Sequence, residues 1–185
     1  MTQPRQQRAD AVRNRQRIMA AAHEQITRHG PEVGMDAIAR AAGVAVGTLY
    51  RNFPTKDDLV NAVVSEHAEA VVVDIEDAVA RVHAGADVLQ ELRDVASRFV
   101  EAVAQSAAVK AAAAELGAPD YGPLERRAWA AADQLITVAR DAGVLRQDAT
   151  LADFQLLITT APADQPPAAR ARWLALFLDG LTAGA

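Results

Sequence analysis

The chain has 185 residues, 51% hydrophobic and 23% charged, which is typical of a folded globular protein. It contains no cysteine, which excludes disulfide scaffolds, zinc–thiolate sites, iron–sulfur clusters and cysteine nucleophiles. The first residues are polar and basic, and no uncharged apolar run reaches the roughly 18 residues of a membrane span. We therefore expect a cytoplasmic protein with no secretory signal and no membrane segment.

The net charge of −5 is unevenly distributed along the chain. Residues 1–56 carry a charge of +5, whereas the remaining residues carry −10. This asymmetry favours an N-terminal part that binds a polyanion and a remainder of the chain that does not contact it. A basic surface that is merely solvated is the alternative.

Alanine supplies roughly a quarter of the chain and aromatic residues are scarce, which favours α-helix throughout. Apolar residues at three- and four-residue steps, ended by glycine or proline, predict helices in chain order. They span 13–29, 36–42, 45–53, 55–82, 88–103, 109–116, 124–142, 150–161 and 173–181. Thr55 with Asp58, and Thr150 with Asp153, are typical of capping boxes at helix starts. No useful strand alternation is present, so we predict an all-α protein.

Residues 34–58 have the dimensions of a helix-turn-helix. Gly43 can take the left-handed conformation that the turn requires. The residues expected to form the small core between the two helices are Ile38, Val44, Leu49 and Phe53. At 100° per residue, the second helix places Ala45 and Val46 beside its inward face and Gly47 and Arg51 outward.

An exposed glycine inside a helix is unfavourable by about 1 kcal/mol relative to alanine. Gly47 therefore indicates that another molecule, in this case DNA, approaches the backbone closely. Thr48 and Tyr50 offer hydroxyls to phosphate oxygens, and Arg51 can reach base edges or phosphate. Lys56 lies at a helix N-terminus, where the helix dipole also favours a phosphate. A helix pair that merely packs is the alternative.

Residues 13–66, and above all segment 38–56, resemble the DNA-binding domain of the TetR/AcrR family of one-component regulators. The elements Gly47-Thr48-Leu49-Tyr50, Phe53-Pro54 and Thr55-Lys56 fall in the family's order and spacing. Two positions depart from the commonest pattern. Gly34 stands where Thr or Ser usually caps the second helix, and Ala45 replaces a frequent Ser.

The resemblance implies specific contacts with double-stranded DNA. Thr48, Tyr50 and Lys56 would hold the DNA backbone, while Val46, Gly47 and Arg51 would face the bases in the major groove. Three arginines at the entry of the first helix would add phosphate contacts: Arg13, Arg15 and Arg17. Arg5 and Arg8 would form a minor-groove arm, with a disordered solvated tail as the alternative.

The resemblance further implies an N-terminal three-helix DNA-binding domain, residues 1–58 with 1–12 as a flexible arm, and a C-terminal helical bundle, residues 59–185. The second domain would bind an unidentified small-molecule effector and form a homodimer on a palindromic operator. Phe99 and Trp129 are candidates for an apolar pocket. The candidates for the dimer interface are Phe154, Leu157, Trp173, Leu176, Phe177 and Leu181, although packing inside one subunit is equally open for them.

Motifs for catalysis or cofactor binding are missing from the sequence. The four histidines show no i, i+4 pairing, and there is no P-loop, nucleophile elbow or dinucleotide fingerprint. We expect no metal, no cofactor and no enzyme activity. The leading interpretation is a ligand-released transcriptional repressor. A helical small-molecule-binding protein without a DNA role is the alternative, and measured DNA affinity discriminates between them.

Overall fold

The structure, a computed structural model, describes residues 3–115 and 122–183, with side chains from Ala9 onward. These residues form eight helices and no strand, so the all-α prediction is confirmed. The helices are α1 (Gln3–His29), α2 (Met35–Ala42), α3 (Val46–Asn52), α4 (Lys56–His83), α5 (Val88–Glu115), α6 (Gly122–Asp141), α7 (Leu151–Thr160) and α8 (Pro167–Leu181). No helix in this part of the chain is long and apolar enough to cross a membrane.

Helix α1 begins earlier than the sequence pattern predicts. The segment expected to be a flexible arm is helical from Gln3. Pro4 suits the first turn of a helix, and the glutamines and arginines that follow are good helix formers. The side chains of Arg5 and Arg8 lie outside the described residues, so the minor-groove contacts expected of them stay a prediction.

Helix α5 is continuous where two helices were expected. The predicted helices 88–103 and 109–116 are joined in one helix that ends at Glu115 among the described residues. The prediction of a break was wrong because residues 104–108 contain no glycine or proline, and alanine propagates a helix readily.

The described residues pack as two units. The first comprises residues 3–67 and 106–115, and the second comprises 68–105 and 122–183. Helices α4 and α5 therefore each contribute residues to both units. In the first unit, the largest fully buried side chains include Ile18, Ile26, Ile38, Leu49, Phe53 and Leu59.

The second unit has a continuous apolar core contributed by α4 to α8. Ion pairs on its surface fasten α4 to its neighbours. Arg127 of α6 bridges Glu69 at 2.9 Å and Glu76 at 3.0 Å, and Arg98 of α5 lies 2.8 Å from Asp74. Hydrogen bonds from these guanidinium groups to the carboxylates raise the pKa values of Arg127 and Arg98, so both arginines stay charged.

Candidate nucleic-acid interface

The turn between α2 and α3 is defined by backbone hydrogen bonds. Gly43 has φ +63°, and its N–H donates to the carbonyl of Arg40 at 3.1 Å. The N–H of Val44 donates to the carbonyl of Ala39 at 3.0 Å. This pair of bonds is the Schellman motif, which uses a left-handed residue to end one helix sharply. The turn fixes the direction in which α3 leaves α2, as the position of Gly43 in the sequence predicts.

Arg17 of α1 also holds this turn. Its Nη2 donates to the carbonyl oxygen of Gly43 at 3.1 Å. A Cβ atom on Gly43 would lie 2.7 Å from the same nitrogen, so the glycine leaves room for the guanidinium. The bond joins residues 26 positions apart, and no sequence pattern predicts it.

Helix α3 has one buried face and one open face. Leu49 and the adjoining Phe53 are buried, together with Ile38 of α2, as expected. Tyr50 is 45% exposed, and Gly47 and Arg51 are exposed as well, which agrees with the outward placement predicted from helical spacing.

Ala45 and Val46 differ from that expectation. Both were placed beside the inward face, yet both are exposed, Val46 by 39%. The helical rotation of 100° per residue does not apply to Ala45, because Ala45 is the N-cap and has extended backbone angles, φ −66° and ψ 142°. Val46 is the first residue of the helix, so no preceding turn of α3 lies against its side chain. The open face of α3 therefore begins with an apolar side chain.

The polar candidates on α3 make local hydrogen bonds. Arg51 donates through Nε to the carbonyl of Gly47 at 3.0 Å and through Nη2 to the hydroxyl of Thr48 at 3.2 Å. Asn52 donates through Nδ2 to the carbonyl of Thr48 at 2.8 Å. The Arg51 guanidinium is consequently held against its own helix by these two bonds.

Lys56 begins α4 next to the loop between α1 and α2. Its ammonium donates to the carbonyl of Pro31. The preceding Thr55 forms the predicted capping box: its hydroxyl accepts from the N–H of Asp58 at 3.0 Å, and its N–H donates to the Asp58 carboxylate at 3.1 Å. An ammonium has three donors, so Lys56 keeps the capacity to bind an anion beside Pro31.

The arginines expected at the entry of the first helix lie within α1, because α1 begins at Gln3, and they have different surroundings. Arg13 pairs with Asp10 one turn earlier. The Arg15 guanidinium lies 4.4 Å from the centroid of the Phe53 ring, which is cation–π geometry. Arg15 and Arg17 thus attach α1 to the helix-turn-helix, a role that the sequence does not reveal because both contacts are distant in the chain.

Comparison with known proteins identifies the fold and the motif. The family model described as bacterial regulatory proteins, tetR family, matches residues 18–63. The crystal structure of a TetR transcription regulatory protein from Mycobacterium vanbaalenii superposes with a TM-score of 0.73 at 31% identity, covering 95% of this chain and 98% of that one. The chain belongs to the TetR family.

Two further relatives agree with this assignment. A TetR transcriptional regulator from Streptomyces coelicolor has a TM-score of 0.71 at 30% identity, with 92% of this chain and 99% of that one covered. An HTH-type transcriptional regulator of Staphylococcus aureus strain USA300 is 33% identical over 93 residues, 50% of each chain. The match thus spans about half the length of this curated relative. TetR-family proteins are transcriptional regulators with a DNA-binding helix-turn-helix, and residues 34–58 supply it in this chain.

The second unit of this TetR-family chain contains the candidate interface residues. Phe154 and Leu157 are buried in the core of this chain, which favours the alternative of packing inside one subunit. Their spacing of three residues places both on one face of α7, and that face is buried in the core. The rings of Trp173 and Phe177 have centroids 5.9 Å apart and are tilted by 33°, and both residues are half-buried, as is Leu181.

Exposed leucines are found on α7 and α8. Leu176 is 56% exposed, as its candidacy for an interface requires, and Leu156 is exposed to the same extent. Leu156 was not among the sequence-based candidates. It is an apolar residue of α7 that does not share the buried face of Phe154 and Leu157.

The pocket candidates Phe99 and Trp129 are both half-buried. Among the described residues, no group of three or more potential metal ligands comes together.

Proposed function

We propose that this TetR-family chain is a repressor that binds a palindromic operator as a homodimer in the cytoplasm and is released from it by a small-molecule effector. The observation that carries the proposal is the open face of α3. Gly47 has nothing within 4 Å of the position of an added Cβ, and Val46, Tyr50 and Arg51 surround it with exposed side chains. A bare backbone position on a helix suits close approach by DNA, since it has no packing reason within the chain.

The proposed contacts divide into two groups by chemistry. Thr48, Tyr50 and Lys56 bind phosphate oxygens, which set register without reading sequence. Arg51 reads base edges once its guanidinium exchanges its bonds to Gly47 and Thr48 for acceptors in the major groove. Val46 and Gly47 face the bases beside it.

The α1 arginines also take part in the proposed interface. We assign Arg13 a phosphate contact, because its partner Asp10 is exposed and adjacent in the helix, where ion pairs are weak. Arg15 and Arg17 act mainly through the positioning contacts with Phe53 and Gly43. Residues 1–58 remain the proposed DNA-binding domain, and residues 59–185 the proposed effector and dimerisation domain.

Helix α8 supports the proposed homodimer. Trp173, Leu176 and Gly180 follow one another at spacings of three and four residues, so they share one face of the helix. Leu176 and Gly180 are exposed, and a Cβ on Gly180 would meet nothing within 4 Å. An apolar face with a glycine permits close packing against its twin. Two-fold symmetry would set two recognition helices about 34–36 Å apart, or a multiple of that distance, on a palindrome.

The proposed function includes release from the operator by an effector. Phe99 and Trp129 are the proposed pocket residues, and their half-burial leaves ring surface available to an apolar ligand. An effector that favours the protein conformation unable to match the operator would oppose DNA binding by about 1–3 kcal/mol. The alternative function is that of a small-molecule-binding protein without a DNA role. Such a protein would bind a ligand at Phe99 and Trp129 and would not bind an operator.

The test is a selection of bound duplexes from a random-sequence pool. The wild-type chain is expected to enrich one palindromic site. Arg51→Ala should enrich a different or relaxed site, because a base contact is lost. Tyr50→Ala and Lys56→Glu should weaken binding to every duplex without changing the preferred sequence. Enrichment of nothing by the wild type would favour the alternative function, and uniform weakening by Arg51→Ala would contradict its base-reading role.

A further inference from the structure

The first turn of α3 presents an apolar outer surface. Ala45 and Val46 are exposed, and Gly47 has no side chain. Leu49 completes the turn but is fully buried on the opposite face. The hydroxyl of Thr48, a half-buried residue, accepts a hydrogen bond from Arg51. Residues 45–47 therefore offer only methyl groups and backbone to a molecule that approaches from outside.

Val46 is the largest side chain on this surface, with 39% of its area exposed. The Arg51 guanidinium is held on the carbonyl of Gly47 and the hydroxyl of Thr48. Nothing lies within 4 Å of the Cβ position of Gly47. The space beside Val46 is therefore open, and Val46 can enter a groove without being covered by a neighbouring polar group.

The major groove offers a single apolar group to such a side chain. Guanine, adenine and cytosine present acceptors and donors there, while thymine adds its C5-methyl group. A valine pressed against donors and acceptors would remove them from water without replacing their hydrogen bonds, which is unfavourable. Against a thymine methyl, the same valine buries apolar surface on both sides.

We infer that Val46 reads the C5-methyl group of a thymine, so that each half of the operator carries a T·A pair at the place where α3 enters the groove. This inference rests on the proposed function, since it requires that α3 bind in the major groove. It adds the kind of base pair that the N-terminal end of α3 selects, and it makes Val46 a specificity-determining residue beside Arg51.

The experiment uses the duplex enriched by the wild-type chain. Each thymine is replaced in turn by deoxyuridine, which differs from thymidine only by the missing C5-methyl group, and affinity is measured by fluorescence anisotropy. One position in each half-site is expected to lose about fourfold in affinity, the value of one buried methylene-sized group. The same replacement should leave Val46→Ala nearly unaffected at that position, while its response at other thymines stays as in the wild type.

A second variant separates shape from chemistry. Val46→Thr keeps one methyl group on a side chain of the same shape, so it should retain part of the discrimination between thymidine and deoxyuridine. The inference is overturned if Val46→Ala responds to every uridine as the wild type does, or if no uridine changes the affinity of the wild type. A selection that enriches no site overturns both the inference and the proposed function, and it does so before any uridine is introduced.

Discussion

Gly43 and Gly47 lie four residues apart and are glycines for different physical reasons. Gly43 takes a left-handed conformation, φ +63°, and its carbonyl accepts from Arg17. Gly47 is the second residue of α3, with open space where a side chain would stand. The first glycine serves the fold of the turn. The second is unfavourable for the helix and serves the approach of DNA in the proposed function.

The two glycines predict opposite effects of the same substitution. Gly43→Ala forces a side chain into the left-handed region and should lower the free energy of unfolding by about 1–2 kcal/mol. Gly47→Ala should raise it by about 0.5–1 kcal/mol, because alanine favours the helix. Urea denaturation of both variants beside the wild type measures these changes.

Gly47→Ala should weaken DNA binding although it raises the free energy of unfolding. The added methyl group projects into the space that DNA would occupy, so affinity for the selected duplex should fall by about tenfold while the protein becomes more stable. Unchanged DNA affinity in a stabilised Gly47→Ala variant would show that close approach of DNA does not account for the glycine at this position.

The residues that sequence predicts well are those with local causes. The turn at Gly43 and the inward placement of Leu49 and Phe53 follow from a helix period and a left-handed residue, and the structure confirms them. The contacts of Arg15 with Phe53 and of Arg17 with Gly43 were not predictable, because each joins positions far apart in the chain. From the sequence alone, an arginine near a DNA-binding motif is assigned a phosphate contact, because its neighbours in the fold are not known at that point.

At the scale of the elements, the helix starts marked by capping boxes were predictable, whereas the starts of α1 and α8 and the length of α5 were not. Both capping boxes, Thr55 with Asp58 and Thr150 with Asp153, are present as expected. They depend on residues three positions apart, so the local sequence contains all of the information. Helix α5 continues to Glu115 because nothing between 104 and 108 stops it. The sequence also contains no sign that residues 106–115 pack in the first unit.

The capping box of α7 gives a prediction about pH. Hydrogen bonds from the hydroxyl and the backbone N–H of Thr150 lower the pKa of Asp153 below its usual value. The carboxylate therefore stabilises the fold above about pH 4, and this contribution is lost as the pH falls through the lowered pKa. Asp153→Asn should lower the free energy of unfolding by about 0.5–1 kcal/mol at neutral pH, with little difference from the wild type in strong acid.

Denaturation curves at a series of pH values measure this difference. Asp133→Asn, which removes an exposed carboxylate from the middle of α6, is the matched control and should change stability little at any pH. A stability difference for Asp153→Asn that stays constant from neutral pH into strong acid would show that the carboxylate does not act through its charge.

At the scale of the whole molecule, the proposed homodimer depends on α8. Leu176→Glu places a charge on the face shared with Trp173 and Gly180 and should convert the dimer to monomers in sedimentation velocity experiments. Leu176 is 56% exposed, so the substitution leaves the core of the subunit intact. Leu156→Glu should have the same effect if the second exposed leucine belongs to the same interface.

The matched control is Val73→Glu, which charges another exposed apolar side chain, on α4 in the same unit. It should leave the sedimentation coefficient unchanged. A dimer that survives Leu176→Glu, or a monomer produced equally by Val73→Glu, would remove the exposed face of α8 from the proposed interface. Phe154 and Leu157 are unsuitable for this test, because charging a core residue would unfold the subunit.

The most direct measurement of the central proposal is the affinity of the purified chain for its selected duplex and for a scrambled duplex of equal length, over a series of salt concentrations. The selected duplex should bind at least about a thousandfold more tightly, with the logarithm of the binding constant falling linearly with the logarithm of salt. Lys56→Glu should weaken binding to both duplexes and make the salt dependence shallower. Equal, weak binding of the two duplexes by the wild type would contradict sequence-specific regulation through α3.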